Sequence, residues 1–176
     1  MANANVIEVM SVEEAQSVEN TILEAANRSS EWISASGLKG VDLIRSLKYE
    51  PIGFHPIDLR PLNLIEQVNQ TFTCLAAIKA IEVLFQLHPE SAGFRLNMAE
   101  QQGSDIESLD GGIAAEVFAA VKPSNNQKLK KDIEKAGSTN ANHKYVFFAS
   151  PGYTSGRHSE QEDYRNPEVQ VWAVDV

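Results

Sequence analysis

The run IAAEVFAAV, residues 113–121, limits what this chain can fold into more than any other segment. Ala114, Phe118 and Ala120 share one side of an extended strand with Glu116, and Ala115, Val117, Ala119 and Val121 take the other. A strand apolar on both faces reads as interior to a sheet. The fold must therefore bury a carboxylate, which is costly unless a partner is supplied. A basic side chain or backbone donors would serve. A divalent cation is the partner best able to hold several carboxylates together.

A second acid falls into line with the first. Asp110-Gly111 is a favoured pair for a two-residue hairpin turn. With that turn, residue numbers across the hairpin sum to 221 and Asp105 faces Glu116 directly on one face of the sheet. Side chains so opposed have Cβ atoms ~4.5–5.5 Å apart, close enough for one ion or for mutual repulsion. If Gly111-Gly112 turns instead, Asp105 faces Phe118 and its relation to Glu116 becomes diagonal. Glu107 shares the face of Asp105. The GSD sequence at 103–105 also reads as a turn in which Asp binds local backbone.

Elsewhere the pattern is ordinary α/β. Residues 11–27 form an amphipathic helix with Ser11 as N-cap and Glu14 completing a capping box. Glycines and prolines break up 28–61, with a short helix at 41–48. Residues 63–87 are the clearest helix, widely apolar, with Asn63 as N-cap and Glu66 in its first turn. Strands are expected at 93–98, 105–109, 113–121, 144–149 and 168–175, with a helix at 124–136 and a polar loop over 152–166. The first 61 residues hold too few apolar side chains for a core of their own. They read as an N-terminal helical extension, with 62–176 as the α/β core.

One cysteine, Cys74, excludes an internal disulfide. With no secretory signal at the N-terminus, it points to a reducing, cytoplasmic setting. No run of about 18 uninterrupted apolar residues is present, so no membrane span is expected. Net charge is −9, against a nonspecific nucleic-acid coat. The charge is uneven, however: 122–135 carries five basic and two acidic residues, directly after the Glu116 strand. Acids beside a basic patch suit a metal and a phosphate, and the same run also fits a solvated helix face. Arg157, His158, Tyr164 and Arg165 in the polar loop fit either phosphate contacts or plain surface. The four histidines show no zinc-ligand spacing.

On Glu66, GSDI (103–106), AAEVFAA (114–120) and the following helix, the chain resembles the PD-(D/E)xK nuclease superfamily over about residues 62–150. Many restriction endonucleases and Holliday-junction resolvases share that fold. The resemblance implies a restriction-endonuclease-like α/β core, a mixed central sheet flanked by helices in αβββαβ order. It implies Mg²⁺ or Mn²⁺ held by Asp105 and Glu116, Glu66 assisting, and DNA phosphodiester hydrolysis, with a homodimer expected for a double-strand cutter. The pattern departs at Phe118, where the superfamily has its lysine. Lys122 lies ~20 Å along the strand from Glu116. Some members supply the lysine from the next helix, which points to Lys128, with Lys130 and Lys131 as alternatives. The missing lysine and acidic surface also motivate a second expectation, an inactive nuclease-fold module that binds nucleic acid or protein.

Overall fold

A computed structural model of the chain describes residues 6–97, 103–163 and 165–176. The order is β1 (Val6–Val9), α1 (Val12–Ala35), α2 (Gly40–Tyr49), β2 (Gly53–Phe54), β3 (Pro61–Leu62), α3 (Leu64–Leu87), β4 (Phe94–Asn97), β5 (Ile106–Ser108), β6 (Ile113–Ala119), α4 (Lys128–Gly137), β7 (His143–Ala149), β8 (Gly156–Arg157) and β9 (Val169–Ala173). The protein is mixed α/β, with a seven-stranded mixed sheet flanked by helices. Two compact units are distinguished: the described residues up to Ala15 with Ala76–Val176, and Gln16–Leu75. The division falls inside α1 and α3.

In the first unit the sheet runs β1-β4-β5-β6-β7-β9-β8. β1, β4, β5 and β6 pair antiparallel, β6-β7-β9 pair parallel, and β8 is antiparallel to β9. The parallel step from β6 to β7 needs a crossover, which α4 supplies. Leu129, Ile133 and Ala136 of α4 bury against Phe118, Val146, Phe148, Val169, Val171 and Ala173 on one face of the sheet. On the other face Phe85 of α3 meets Phe94 edge-on at 4.9 Å, and His88 Nε2 lies 2.7 Å from the Tyr145 hydroxyl.

α3 is the one helix among the described residues long and apolar enough, by length and composition, to cross a membrane. Its second half is buried at Ala76, Ala77, Ile78, Ala80, Ile81 and Leu84. Lys79 and Glu82, 3.2 Å apart, interrupt the apolar run.

The hairpin forms in the first of the two expected registers, Ile106 opposite Ala115 and Glu107 opposite Ala114. Its loop differs from expectation. Strands end at Ser108 and resume at Ile113, so the loop is Leu109–Gly112 rather than Asp110-Gly111 alone. Ser108 accounts for the change: its carbonyl accepts from Gly111 N–H at 2.9 Å and its hydroxyl accepts from Ile113 N–H at 2.9 Å. Asp110 completes the turn by accepting from the Ser108 hydroxyl and Gly112 N–H. Side-chain oxygens thus replace the last rung of the ladder while keeping the register.

Half of the capping box forms at α1, where Glu14 N–H donates to Ser11 Oγ, while the Glu14 carboxylate accepts from Met10 N–H, one residue before the cap. α1 runs on to Ala35, beyond the expected end at 27, because its next turns bury Ser29 in a polar network. β1 was not foreseen. Four residues with a single buried side chain, Val9, carry too little alternation to announce an edge strand. Of the expected strand 93–98, Met98 lies outside the described residues.

Candidate metal and phosphate site

Glu116 lies near the middle of β6, 1% exposed. Opposite it, continuing the hairpin register, stands half-buried Asp105, just before β5 begins. Asp105 Oδ2 accepts from Val117 N–H at 2.8 Å, which fixes the carboxylate at the end of its strand. The expected turn role for Asp105 is thus replaced by a bond across the hairpin. The two acids come together as the sequence indicates.

The cation beside them is Lys135. Its ammonium donates to Glu116 Oε2 at 2.6 Å and lies 3.9 Å from Asp105 Oδ1. Lys128, chosen from the sequence, instead pairs with Asp132 Oδ1 at 2.8 Å and sits 5.8 Å from the centroid of the Phe118 ring. Lys130 and Lys131 are exposed on α4.

Helix geometry explains the difference. α4 runs back along β6, and Glu116 lies three residues before that strand's end, roughly 10 Å. A helix covers that distance in about seven residues, which from Lys128 is Lys135. The helix itself starts late, because a 3₁₀ turn at Asn125–Gln127 precedes it, with Asn126 and Gln127 in the left-handed region at φ 54° and 57°. Phe118, two residues after Glu116, meets Leu129 and Ile133 and belongs to the core.

α4 brings a third acid that sequence reasoning missed. Asp132 is 3% exposed. The spacing 128-132-135 puts both lysines and this aspartate on neighbouring turns of one helix face. That stripe was legible in KLKKDIEKAG. It was passed over because 122–135 reads as a net basic run in which one aspartate looks incidental.

Each carboxylate is only partly satisfied. Glu116 Oε1 and Asp132 Oδ2 are buried and accept no hydrogen bond. Burial pushes the Glu116 carboxyl up to about 7; the neighbouring Asp105 charge adds to this, and Lys135 opposes it. Asp132 is likewise raised, first by burial, with Lys128 holding it down. Burial acts to lower the Lys135 ammonium, but Glu116, Asp105 and Asp132 together outweigh it and raise its pKa.

A divalent cation fits this donor set. Mg²⁺ commonly takes one or two carboxylates and completes its shell with water and phosphate. One oxygen of Glu116 is open, and Asp105 Oδ1 is engaged only at 3.9 Å. Among the described residues, no group of three or more His, Cys, Asp or Glu side chains is already gathered as a metal cluster.

Glu66 lies in the other compact unit, exposed on the first turn of α3, where its N–H donates to Asn63 Oδ1 at 2.9 Å. Its helix-capping context is present as expected. The loop cations are held locally: Arg157 by Glu162 at 2.8 and 3.2 Å, His158 by Glu160 at 2.7 Å, and Arg165 by Asp163. Tyr164 lies outside the described residues. A groove of about 480 Å³ opens between Leu129, Lys130 and Ile133 of α4 and Gln161, Glu162, Asp163 and Arg165, and none of the three buried or half-buried acids lines it.

Comparison of the chain with protein-family models, with curated proteins and with solved structures finds no match.

Proposed function

We propose that the protein is a metal-dependent nuclease of the PD-(D/E)xK kind, hydrolysing DNA phosphodiester bonds, with its lysine moved from the strand to the following helix. The observation that carries this reading is the convergence of Asp105, Glu116 and Lys135, with Lys135 Nζ 2.6 Å from Glu116 Oε2. The element order α3-β4-β5-β6-α4-β7 supports a restriction-endonuclease-like core. Phe118 then ceases to be a defect, because an ammonium reaches the same carboxylate from α4.

Asp105 and Glu116 would hold the Mg²⁺ or Mn²⁺. Such an ion would supply charge neutralisation at the phosphate and a more acidic bound water. The chain's own groups do the rest. Val117 N–H fixes Asp105 through its Oδ2, leaving Oδ1 facing Lys135 and available to an ion that would bind there. Lys135, half-exposed and raised in pKa, stays protonated at neutral pH and can meet a phosphate oxygen. Lys128 adds a second ammonium on the same helix face, paired with Asp132.

The test is Mg²⁺-dependent nicking of plasmid and branched DNA by wild type, Glu116→Gln and Lys135→Met. Cleavage is expected to fall at least 100-fold in Glu116→Gln and clearly in Lys135→Met. Residual activity equal in all three would overturn the reading and favour a module that binds without cleaving.

A further inference from the structure

We propose that residues 150–158 form a strap at the C-terminal ends of β6 and β7, which His158 holds closed as an imidazolium and releases when it gives up one ring proton to solvent. The inference goes beyond the metal-dependent reading above and does not rest on it.

Hydrogen-bond chemistry at His158 carries it. Its Nε2 lies 2.8 Å from the Thr154 carbonyl oxygen, and its Nδ1 lies 2.7 Å from Glu160 Oε1. A carbonyl oxygen and an ionised carboxylate can only accept. Glu160 is exposed, and its bond from His158 holds its carboxyl below the usual range, so it is ionised at neutral pH. Both ring nitrogens must therefore donate, and a histidine with two donors is a cation. A neutral ring would turn a lone pair on one of these oxygens and lose that tie. The same two bonds, Thr154 first and Glu160 second, raise His158 above its ordinary value of 6.5. A raised value means that the strap is fully held below 6.5 and is released as pH climbs through the folded value.

The surrounding fold makes this bond pair decisive for one segment. Ser150 Oγ donates to the Val121 carbonyl at 3.1 Å and anchors the start of the strap, and His158 N–H donates to the Val171 carbonyl at 2.8 Å and anchors its end. Between these anchors stand Gly152 and Gly156, at φ 84° and 139°, with open space where each Cβ would stand. Two such glycines suit hinges. Tyr153 packs on the apolar cluster of Phe118, Leu129 and Phe148 and meets the Phe148 ring edge-on at 5.0 Å. The His158 ring stands 5.5 Å from Tyr153 and 6.0 Å from Phe148. The other charges in this turn are engaged: Arg157 with Glu162 at 2.8 Å, and Arg165 with Asp163. β7 and β9 present only Phe148 and the Val171 carbonyl to His158. Glu160 is thus the charge that sets its state. Release would uncover Tyr153 and the Phe148 edge at the carboxyl ends of parallel strands, where α/β sheets place their ligands.

The test is pulse-labelled hydrogen exchange of residues 150–158 in the full chain at pH 6 and pH 8.5, corrected for the intrinsic pH dependence of exchange. Long-range proton–nitrogen NMR of the His158 ring accompanies it. In wild type both ring nitrogens are expected to be protonated at pH 6, with a titration midpoint above 6.5. Protection of the strap is expected to fall about tenfold by pH 8.5, as for the loss of one charge-assisted bond. His158→Ala should show at pH 6 the low protection of wild type at pH 8.5, with no pH slope. Glu160→Gln, which keeps the Thr154 bond, should move the His158 midpoint and the loss of protection together to lower pH. Glu116→Gln should keep the slope, which separates this titration from that of the buried carboxyl. A singly protonated ring at pH 6, or equal protection at the two pH values, would overturn the proposal. So would a slope that survives in His158→Ala or vanishes in Glu116→Gln.

Discussion

Two buried polar centres in this molecule are built in opposite ways. In the unit Gln16–Leu75, Gln67 is 2% exposed and fully engaged. Its Oε1 accepts from Ser29 Oγ at 2.6 Å and from Phe54 N–H at 2.8 Å, and its Nε2 donates to the Ala25 carbonyl at 2.9 Å. Gly53 permits that closeness: a Cβ there would stand 2.5 Å from Gln67 Oε1. In the other unit, Glu116 is as deeply buried but uses one oxygen only. A satisfied neutral network fixes structure. A half-satisfied charge is held at a cost, which makes sense where a ligand completes it.

The largest expected effect tests why position 118 lacks its lysine. Phe118→Lys would remove an aromatic side chain packed with Leu129, Ile133 and Phe148 and put an ammonium in that apolar cluster. A loss of about 3–5 kcal/mol in denaturant unfolding is expected, with no gain in cleavage. Full stability together with raised activity would show that Lys135 does not stand in for it.

Next is the pH dependence of Glu116. Its folded pKa, about 7, lies above the ordinary 4.5, so between those values the folded chain holds a proton that the unfolded chain has released. Stability should therefore fall as pH rises from about 4.5 to about 7 and level off above, by an amount on the order of 3 kcal/mol. Glu116→Gln should abolish that slope, stabilising the metal-free protein at pH 8 and changing it little at pH 4.5. The smallest effect belongs to Gln67→Leu, which leaves Phe54 N–H and the Ala25 carbonyl without their partner. It is expected to cost about 2 kcal/mol, with no pH dependence and no change in Mn²⁺ binding. If instead Gln67→Leu alters ion binding, the contrast between a structural and a functional centre fails.

The sequence made some of this legible and hid the rest, for physical reasons. An acid inside IAAEVFAAV and the turn residues at 110–112 are local signals; they marked Asp105 and Glu116 and left two registers, of which the first forms. Caps at Ser11 and Asn63 were equally local. The lysine depended on where α4 starts and on how many helical residues match three strand residues. The left-handed pair Asn126-Gln127 that sets this start has no strong sequence signature, since neither residue is glycine. Asp132 was hidden among lysines that in isolation describe a wet surface. β2 and β3, two residues each, are too short for any periodicity.

The most direct measurement is the thermal unfolding of wild type and Glu116→Gln at pH 8, with and without millimolar Mn²⁺. Without the ion, Glu116→Gln is expected to melt higher, because it removes an incompletely paired buried charge. With Mn²⁺ the wild type should rise and Glu116→Gln should not, narrowing or reversing the order. Melting temperatures that ignore Mn²⁺ in both proteins would contradict the claim that this buried carboxylate is kept for a cation.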